Sequence, residues 1–549
     1  MTRAVRHIGV RLEGEGDEAV RHVTFELGEA GDAGEQGETL RDILDRTTAR
    51  VRTACAGIGA CGLCRVRIDE GIGGAPTPAE LLHLGADAVA ARARLACQVL
   101  PRGDMDVTVL APAPPSTWRA PSSRPYRAAY RPSPGPRTAD APVGIAVDLG
   151  TTHISVAACQ IASGRQLAAR WGPNPQARVG ADVVGRLDAA RSGRERDRLQ
   201  RWAREAIGTA LLELSQDTGL ALHAVRRVRI VGNSAMLVLL SGRCPEALLD
   251  PARWLEGVDC RVEDVAELAA ALRLAPEAAA DAAIVQPLGG FVGSDLLAGV
   301  VHSRLLETEG PALFIDFGTN SEIALWDGER LWATAAAGGS AFEAAGIGCG
   351  LGAEPGAIHR LSRSPEGVWS AEVLESVPPR GVCGSGLVDL LAALRTAGEV
   401  DDRGRVLREP LLVAVGGAEF TVSKADVDAL QRAKAAVAAG TETLCRRAGV
   451  RFRDLRAVHL AGSFGERLDV ENAQRIGLLP AVPAARVHLA GNAALHGALD
   501  LLVSGEAEAA LERARRACTL VNLSLVEEFE DLFLSHLFVR PMAEASPRG

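Results

Sequence analysis

Four cysteines near the N-terminus are the residues best suited to inorganic chemistry. Three lie in Cys55-Ala-Gly-Ile-Gly-Ala-Cys61-Gly-Leu-Cys64 and the fourth in Leu95-Ala-Cys97-Gln98. The C-x5-C-x2-C run with one distal cysteine differs by a single residue from the C-x4-C-x2-C…C spacing that holds a [2Fe–2S] cluster. Two irons bridged by sulfide need four thiolates converging on one small volume, so Cys55, Cys61, Cys64 and Cys97 are the expected metal ligands. Gly57, Gly59 and Gly62 let the loop between them curl without Cβ clashes. Zinc is the competing occupant, because C-x2-C pairs commonly bind it. Structural zinc usually takes two close pairs, whereas here three ligands cluster and one stands apart. Gly57-x-Gly59-x-x-Gly62 also has the spacing of a dinucleotide fingerprint, but cysteines occupy it and no hydrophobic strand precedes it, so that reading is set aside.

A second chemistry is written twice. Ile145-Ala-Val-Asp148-Leu-Gly150-Thr151-Thr152 recurs 168 residues later as Leu313-Phe-Ile-Asp316-Phe-Gly318-Thr319-Asn320. Phosphate binding needs backbone N–H groups aimed into a concavity, short hydroxyls, and a carboxylate able to hold Mg²⁺. Gly150 and Gly318 allow the tight turn, Thr151, Thr152, Thr319 and Asn320 supply donors, and Asp148 and Asp316 stand at strand ends where they can hold Mg²⁺ directly or through water. A further echo joins Val228–Ser234 to Val458–Phe464, and Val-His-Leu-Ala-Gly occurs verbatim at Val458–Gly462 and Val487–Gly491. No G-x4-G-K-[S/T] segment occurs, which excludes a P-loop.

Other glycine-rich stretches, Ala337–Glu343, Gly346–Gly352 and Gly381–Asp389, are candidate cleft loops, although glycine serves hinges and tight packing equally well. Cys349 and Cys383, flanked by glycine in apolar surroundings, read as buried structural thiols, and His153 reads as a turn residue. No Ser/His/Asp triad or His/carboxylate metal cluster stands out among the 11 histidines.

These groups need elements to position them. At 549 residues, with 47% hydrophobic and 23% charged residues, the chain has the composition of an ordinary globular protein of several domains. A formal charge of −9 gives no basic footprint for nucleic acid. The N-terminus lacks the apolar stretch of a signal peptide, no apolar run is long enough to span a membrane, and the 11 cysteines suit a reducing compartment, so a cytoplasmic protein is expected. Residues 1–109 read as a β-rich module, with strands near Val23–Leu27, Cys64–Ile68 and Asp106–Leu110 and a short helix at Leu40–Leu44. Pro, Ser and Arg crowd residues 110–142, which read as an extended, semi-rigid tether. Beyond it, short apolar strands alternate with Ala/Leu/Arg-rich helices such as Arg198–Thr218, Asp264–Leu272 and Asp426–Ala448, an α/β pattern. Two lobes opening with the same hairpin predict a cleft between them.

The back part resembles the ASKHA superfamily of acetate and sugar kinases, heat-shock-70 proteins and actin. In that resemblance Asp148–Thr152 is the first phosphate loop, Asp316–Asn320 the second, and Gly462, Ser463 and Gly465 belong to the adenosine loop. The whole chain resembles the ATP-dependent reductive activators of corrinoid proteins, through Leu95–Gln98, Asp316–Glu322, Ala341–Ala344, Gly350–Ala353, Pro355–Ile358 and Val382–Gly386. The resemblance covers residues 10–542 and departs at Gly339-Ser340, where Gly-Pro is expected. It implies an α/β multidomain chain: a β-grasp, ferredoxin-like [2Fe–2S] domain over 1–109, a linker over 110–142, a middle domain with the first phosphate loop over 143–226, and an ASKHA-type ATPase domain over 227–549. It further implies ATP and Mg²⁺ as cofactors and one-electron reduction of Co(II) to Co(I) in a corrinoid methyltransferase protein. A ferredoxin or flavin reductase is the implied donor, and a homodimer is among the expected assemblies. The tether would let the cluster domain swing between donor and partner. Two rivals are a nucleotide- and redox-gated binding protein and an activator of a radical dehydratase; the latter carries no appended ferredoxin module.

Overall fold

The computed structural model describes residues 5–12, 21–26, 39–44, 49, 51–52, 59, 61–112, 118, 126–134, 142–180, 182–218, 220–318, 320–338, 341–344, 346–374, 377–465 and 467–542. The chain divides into two compact units, Met1–Thr117 with Ala177–Asp182, and Trp118–Gln176 with Val183–Gly549. Among the described residues no helix is long and apolar enough to cross a membrane.

The first unit is built on β1 (Val5–Leu12), β2 (Arg21–Glu26), β3 (Arg65–Glu70), β4 (Ala93–Leu95) and β5 (Met105–Val109), in the sheet order β2-β1-β5-β3-β4. β1 runs parallel to β5 and antiparallel to β2, giving the mixed sheet of a β-grasp. Along β3 burial alternates, so Val66 and Ile68 turn inward while Arg65 and Arg67 face solvent, the period of two that a half-buried strand requires. Leu40, Ile43 and Leu44 of the expected helix Leu40–Leu44 are fully buried against Ile8, Val10, Val66 and Val107.

The helix Pro78–Leu84 opens with a capping box in which Thr77 Oγ1 accepts from Glu80 N and Glu80 Oε2 accepts from Thr77 N at 2.7 Å. The same buried carboxylate accepts from Arg94 Nε at 2.7 Å, Arg94 Nη2 at 2.9 Å and Leu95 N at 3.0 Å. One side chain therefore ties the helix start to β4, two residues before Cys97.

The second unit contains the duplication as topology. β6 (Val143–Leu149), β7 (His153–Gln160), β8 (Arg165–Pro173), β9 (Val225–Gly232) and β10 (Ala282–Ile284) form a sheet ordered β10-β9-β6-β7-β8. β11 (Ala312–Phe317), β12 (Ser321–Trp326) and β13 (Leu331–Ala336) follow. Two small sheets come next: β14 (Ala357–Arg363), β15 (Trp369–Val373) and β16 (Gly381–Val382), then β17 (Leu411–Val415) with β18 (Ala418–Val422). β19 (Ala457–Ala461), β20 (Val487–Gly491) and β21 (Cys518–Leu520) complete the second large sheet, ordered β20-β19-β11-β12-β13-β21. Strand for strand, β10-β9-β6-β7-β8 corresponds to β20-β19-β11-β12-β13. In both sheets the strand ending in the Asp hairpin is central, antiparallel to its hairpin partner and parallel to the later strand. A boundary at residue 226 would cut β9, which pairs with β6 along its length, so the first sheet closes only at β10.

The two copies of Val-His-Leu-Ala-Gly lie side by side in β19 and β20. They pair in parallel register, Val458 with Val487, His459 with His488 and Leu460 with Leu489.

The tether departs from expectation at both ends. Val51 bridges to Pro112 and Arg52 N donates to Ala111 O, which makes residues 111–112 part of the first unit. Tyr126 and Tyr130, both buried, belong to the core of the second unit. Tyr126 Oη donates to Asp500 Oδ1 at 2.8 Å, Ala129 N donates to the same oxygen at 2.9 Å, Tyr130 Oη donates to Val301 O at 3.0 Å, and Ser133 N donates to Val503 O. Residues 126–133 are strapped to their domain, because two aromatic rings bury apolar area and find acceptors for their hydroxyls; 113–117, 119–125 and 135–141 of the expected tether lie outside the described residues.

Candidate functional site

The first hairpin joins β6 to β7. Gly150 N donates to His153 O at 3.0 Å, and a Cβ at Gly150 would stand 2.8 Å from that oxygen. Asn174 Nδ2 donates to Gly150 O at 2.9 Å and Asn174 N to Thr152 O, while the buried Arg186 donates to Thr151 O at 2.7 Å. The loop carbonyls are thus occupied from behind. Thr152 Oγ1 donates to Glu343 Oε2 at 2.9 Å, reaching a loop of the second half.

The equivalent second hairpin carries Gly318 and Asn320; Thr319 lies outside the described residues. Gly232 ends β9 and Gly462 directly follows the equivalent β19, and a Cβ at either would collide with a hairpin carbonyl, Leu149 O in the first case and Phe317 O in the second. Gly462, at φ +86°, would also bring a Cβ within 3.1 Å of Asp316 Oδ1, so only glycine lets the backbone approach this carboxylate. Gly462–Gly465 forms a helical turn whose Phe464 stacks on Phe342, with centroids 4.8 Å apart, and meets Phe317 edge-on at 4.7 Å. The Ser463 side chain lies outside the described part of the structure.

Asp148 and Asp316 stand at the ends of β6 and β11, as expected, and they are joined by two carboxylates that the motifs did not single out for a role. Asp295 lies in the first turn of the helix Ser294–His302 and Glu322 on β12. Burial and the neighbouring Asp295 push Asp148 up to about 7, while the Asn492 amide, donating to Asp148 Oδ2 at 3.1 Å, opposes the shift. Burial pushes Asp295 up to about 6. Burial, then the charges of Asp295 and Asp148, raise Asp316 well above the carboxylate range. Glu322 is raised likewise by burial, Asp295 and Asp316; it accepts from Gly293 N at 3.1 Å and shares a hydrogen bond with Asp295. This direction makes Glu322 the protonated partner, which donates to Asp295. Four buried acids brought together, three of them raised by a neighbour's charge, are a site short of positive charge. Ser234 and Ser321, beside the glycine strand end and the second hairpin, are buried with hydroxyls that have no protein partner. Such orphans ask for a ligand or water.

The other glycine loops mostly serve packing. A Cβ at Gly338, Gly350, Gly384 or Gly386 would strike a backbone carbonyl, of Ala433, Ala344, Phe342 and Ile358 respectively. Cys349 and Cys383 are buried, with burial pushing the Cys349 thiol up to about 12. Cys244, by contrast, is exposed.

In the first unit Cys64 and Cys97 are buried and Cys61 is half-buried; Cys55 lies outside the described residues. Cys64 and Cys97 face each other closely enough that the hydrogen-bonded Cys97 side chain, burial and the charges of Cys97 and Cys61 all raise the Cys64 thiol. The neutral Cys64 thiol is favoured there, and a cation at the site would oppose that preference. Among the described residues no three His, Cys, Asp or Glu converge tightly enough to hold a single metal ion. A two-iron cluster spreads its four thiolates over two metals, which the converging Cys61, Cys64 and Cys97 fit. The loop is closely walled: a Cβ at Gly62 would lie 2.8 Å from His83 Cβ, and one at Gly59 would lie 3.1 Å from Ala79 Cβ.

Comparison with known proteins reproduces this order of parts. The family model for the 2Fe-2S iron-sulfur cluster binding domain matches residues 29–102, that for the RACo middle region residues 143–308, and that for the C-terminal domain of RACo, the ASKHA domain, residues 310–547. The chain is built from RACo domains behind an iron-sulfur domain. It is 29% identical over 425 residues to the corrinoid activation enzyme RamQ of Eubacterium limosum, covering 71% of this chain and 69% of that one. It is 27% identical over 271 residues to the [Co(II) methylated amine-specific corrinoid protein] reductase of Methanosarcina barkeri, covering 45% of this chain and 49% of that one. The solved structure of a reductive activator for corrinoid, iron-sulfur protein shares the fold, with a TM-score of 0.64 at 23% identity over 97% of this chain and 98% of that one. The RACo matches meet at 308–310, between the two large sheets.

Proposed function

We propose that this chain is an ATP-coupled reductase that returns the cobalt of a corrinoid protein from Co(II) to Co(I) and so restores its methyl-transfer activity. The observation that carries the reading is that one chain holds both a buried cysteine site and a duplicated cleft whose equivalent strand ends set Asp148 and Asp316 within electrostatic reach of each other. When bound, a [2Fe–2S] cluster on Cys55, Cys61, Cys64 and Cys97 would supply one-electron transfer, and ATP the free energy of an uphill reduction. For a one-electron couple, each 59 mV of that gap is a factor of ten, about 1.4 kcal/mol.

The cleft residues take distinct parts in this reading. Gly150 and Gly318 allow the tight turns, Thr151, Thr152, Thr319 and Asn320 offer donors to phosphate oxygens, and Gly462, Ser463 and Gly465 approach the adenosine. Asp148 and Asp316 would hold Mg²⁺ directly or through water. Mg²⁺ keeps several waters and takes one or two carboxylates plus phosphates, so it needs no all-protein cage. Asn492 fixes the Asp148 rotamer, and protonated Glu322 keeps Asp295 ionised beside it. The reading places the chain in the cytoplasm with a low-potential donor such as a ferredoxin or flavin reductase. The domain division that goes with it is a cluster module, a middle lobe and a C-terminal ASKHA lobe.

Coupling requires that ATP discriminate between two states of the complex with the corrinoid protein. The test is the visible spectrum of a purified Co(II) corrinoid protein mixed with this chain, reductant and ATP. A Co(I) band that appears only with ATP, accompanied by phosphate release, supports the reading. Binding without turnover would favour a purely regulatory protein.

A further inference from the structure

Gln98 follows Cys97 in the short turn Ala96–Gln98. Its Nε2 lies 3.5 Å from Cys97 Sγ and 3.3 Å from Cys97 O, so the carboxamide folds back over the residue before it. The amide is also wedged from the other side. A Cβ at Gly59, which has φ +81°, would stand 3.0 Å from Gln98 Nε2 and 3.1 Å from Gln98 Cδ. Gly59 leaves just enough room for the carboxamide between the cluster loop and a buried sulfur. The four-cysteine reading gives this contact no part.

We infer that Gln98 is a positioning residue that raises the reduction potential of the cluster by donating an N–H to the Cys97 sulfur. The inference rests on the reading that Cys97 is a cluster ligand. On reduction one electron arrives from the donor, no bond forms or breaks, and the negative charge spreads onto the sulfurs. A donor aimed at a ligand sulfur stabilises that extra charge, so it favours the reduced state. Cys97 is only 4% exposed, and water therefore competes poorly for the sulfur. Partners in this outer shell are among the protein's levers on a metal centre. Gln98 thereby makes the cluster easier to charge and enlarges the step that remains to Co(I).

The experiment is an anaerobic potentiometric titration of the full chain and its Gln98→Leu and Gln98→Glu variants, followed by visible and EPR spectra. At the potential where the unaltered protein is half reduced, Gln98→Leu should lower the reduced-to-oxidised ratio by about threefold to tenfold, tenfold being 59 mV. Gln98→Glu, which places a carboxylate by the sulfur, should lower it further. An unchanged or higher ratio with an intact cluster spectrum overturns the inference. Where a variant loses its cluster, pulsed EPR of the reduced unaltered chain carrying ¹⁵N in glutamine side chains decides: a coupled amide nitrogen is expected, and its absence overturns the inference. An unaltered chain that assembles no cluster would instead overturn the cluster reading itself.

Discussion

Thr152 and Glu343 are 191 residues apart in sequence, yet Thr152 Oγ1 donates to Glu343 Oε2 at 2.9 Å and so ties the first hairpin to a loop of the second half. In the proposed reading that hydroxyl faces phosphate, and a carboxylate on it repels the ligand. Glu343→Gln keeps the shape and removes the charge. Isothermal titration with a non-hydrolysable ATP analogue should show binding several-fold tighter, about 1 kcal/mol at the screened end of such interactions. Thr152→Val should weaken it.

The acids of the cleft are expected to oppose stability while serving function. Asp148 and Asp295 are raised to about 7 and about 6, above an unfolded carboxylate near 4. Between those values the folded chain holds more protons than the unfolded one, so the stability of the nucleotide-free protein falls as pH rises through that window. Thermal unfolding from pH 5 to 8 should show the midpoint dropping. Asp148→Asn should flatten that dependence and stabilise the protein at pH 7 by about 1 kcal/mol, while ATP turnover falls by about a hundredfold or more.

Glu80 behaves in the opposite sense. Burial would raise it, but the Arg94 guanidinium and the amides of Thr77 and Leu95 hold it below the usual carboxylate range. Its contribution is fully present above the unfolded value and is lost as pH falls through the folded one. Removing one partner of a buried pair costs roughly 3–5 kcal/mol. Arg94→Ala should therefore release the cluster at lower denaturant concentration, followed by its visible absorption, with a smaller penalty near pH 4 than at pH 7.

The strap can be tested at one oxygen. Tyr126→Phe deletes a donor to Asp500, which stays buried, so unfolding should shift by about 1–3 kcal/mol. Replacing both Tyr126 and Tyr130 with Ala should cost more and leave the midpoint of cluster loss in the first unit unchanged.

Much of this was legible in the chain. The repeated Asp-x-Gly-Thr hairpins and glycine strand ends foretold two equivalent sheets, because a tight turn and a close carbonyl each demand glycine at a fixed place. Asp295 was not legible: it follows Gly289-Gly-Phe-Val-Gly-Ser with no hairpin signature, and only the packing of its helix brings it to Glu322. A glycine run opening a helix and ending in Asp was the available signal. Glu322 stood in a quoted motif without a role, since a strand residue's facing direction depends on the sheet. Pro, Ser and Arg dominate residues 110–142, and that composition hides the packed part of the expected tether. The contrary sign was that the chain's 2 tyrosines, Tyr126 and Tyr130, both sit there, four positions apart. The glycine loops around Gly384 leave two readings open in the sequence, because close packing and close ligand approach make the same demand on the backbone.

The paired Val-His-Leu-Ala-Gly strands carry a separate implication. β20 is the outer strand of its sheet and has the sequence of its inner neighbour β19, so each is a matched template for the other. Correct pairing is then specified by connectivity and flanking contacts, not by the strand residues themselves. If the edge peels away on heating, the vacated β19 of one molecule meets an equally good complement in the β20 of another. That makes strand exchange between copies a built-in route to self-association under stress.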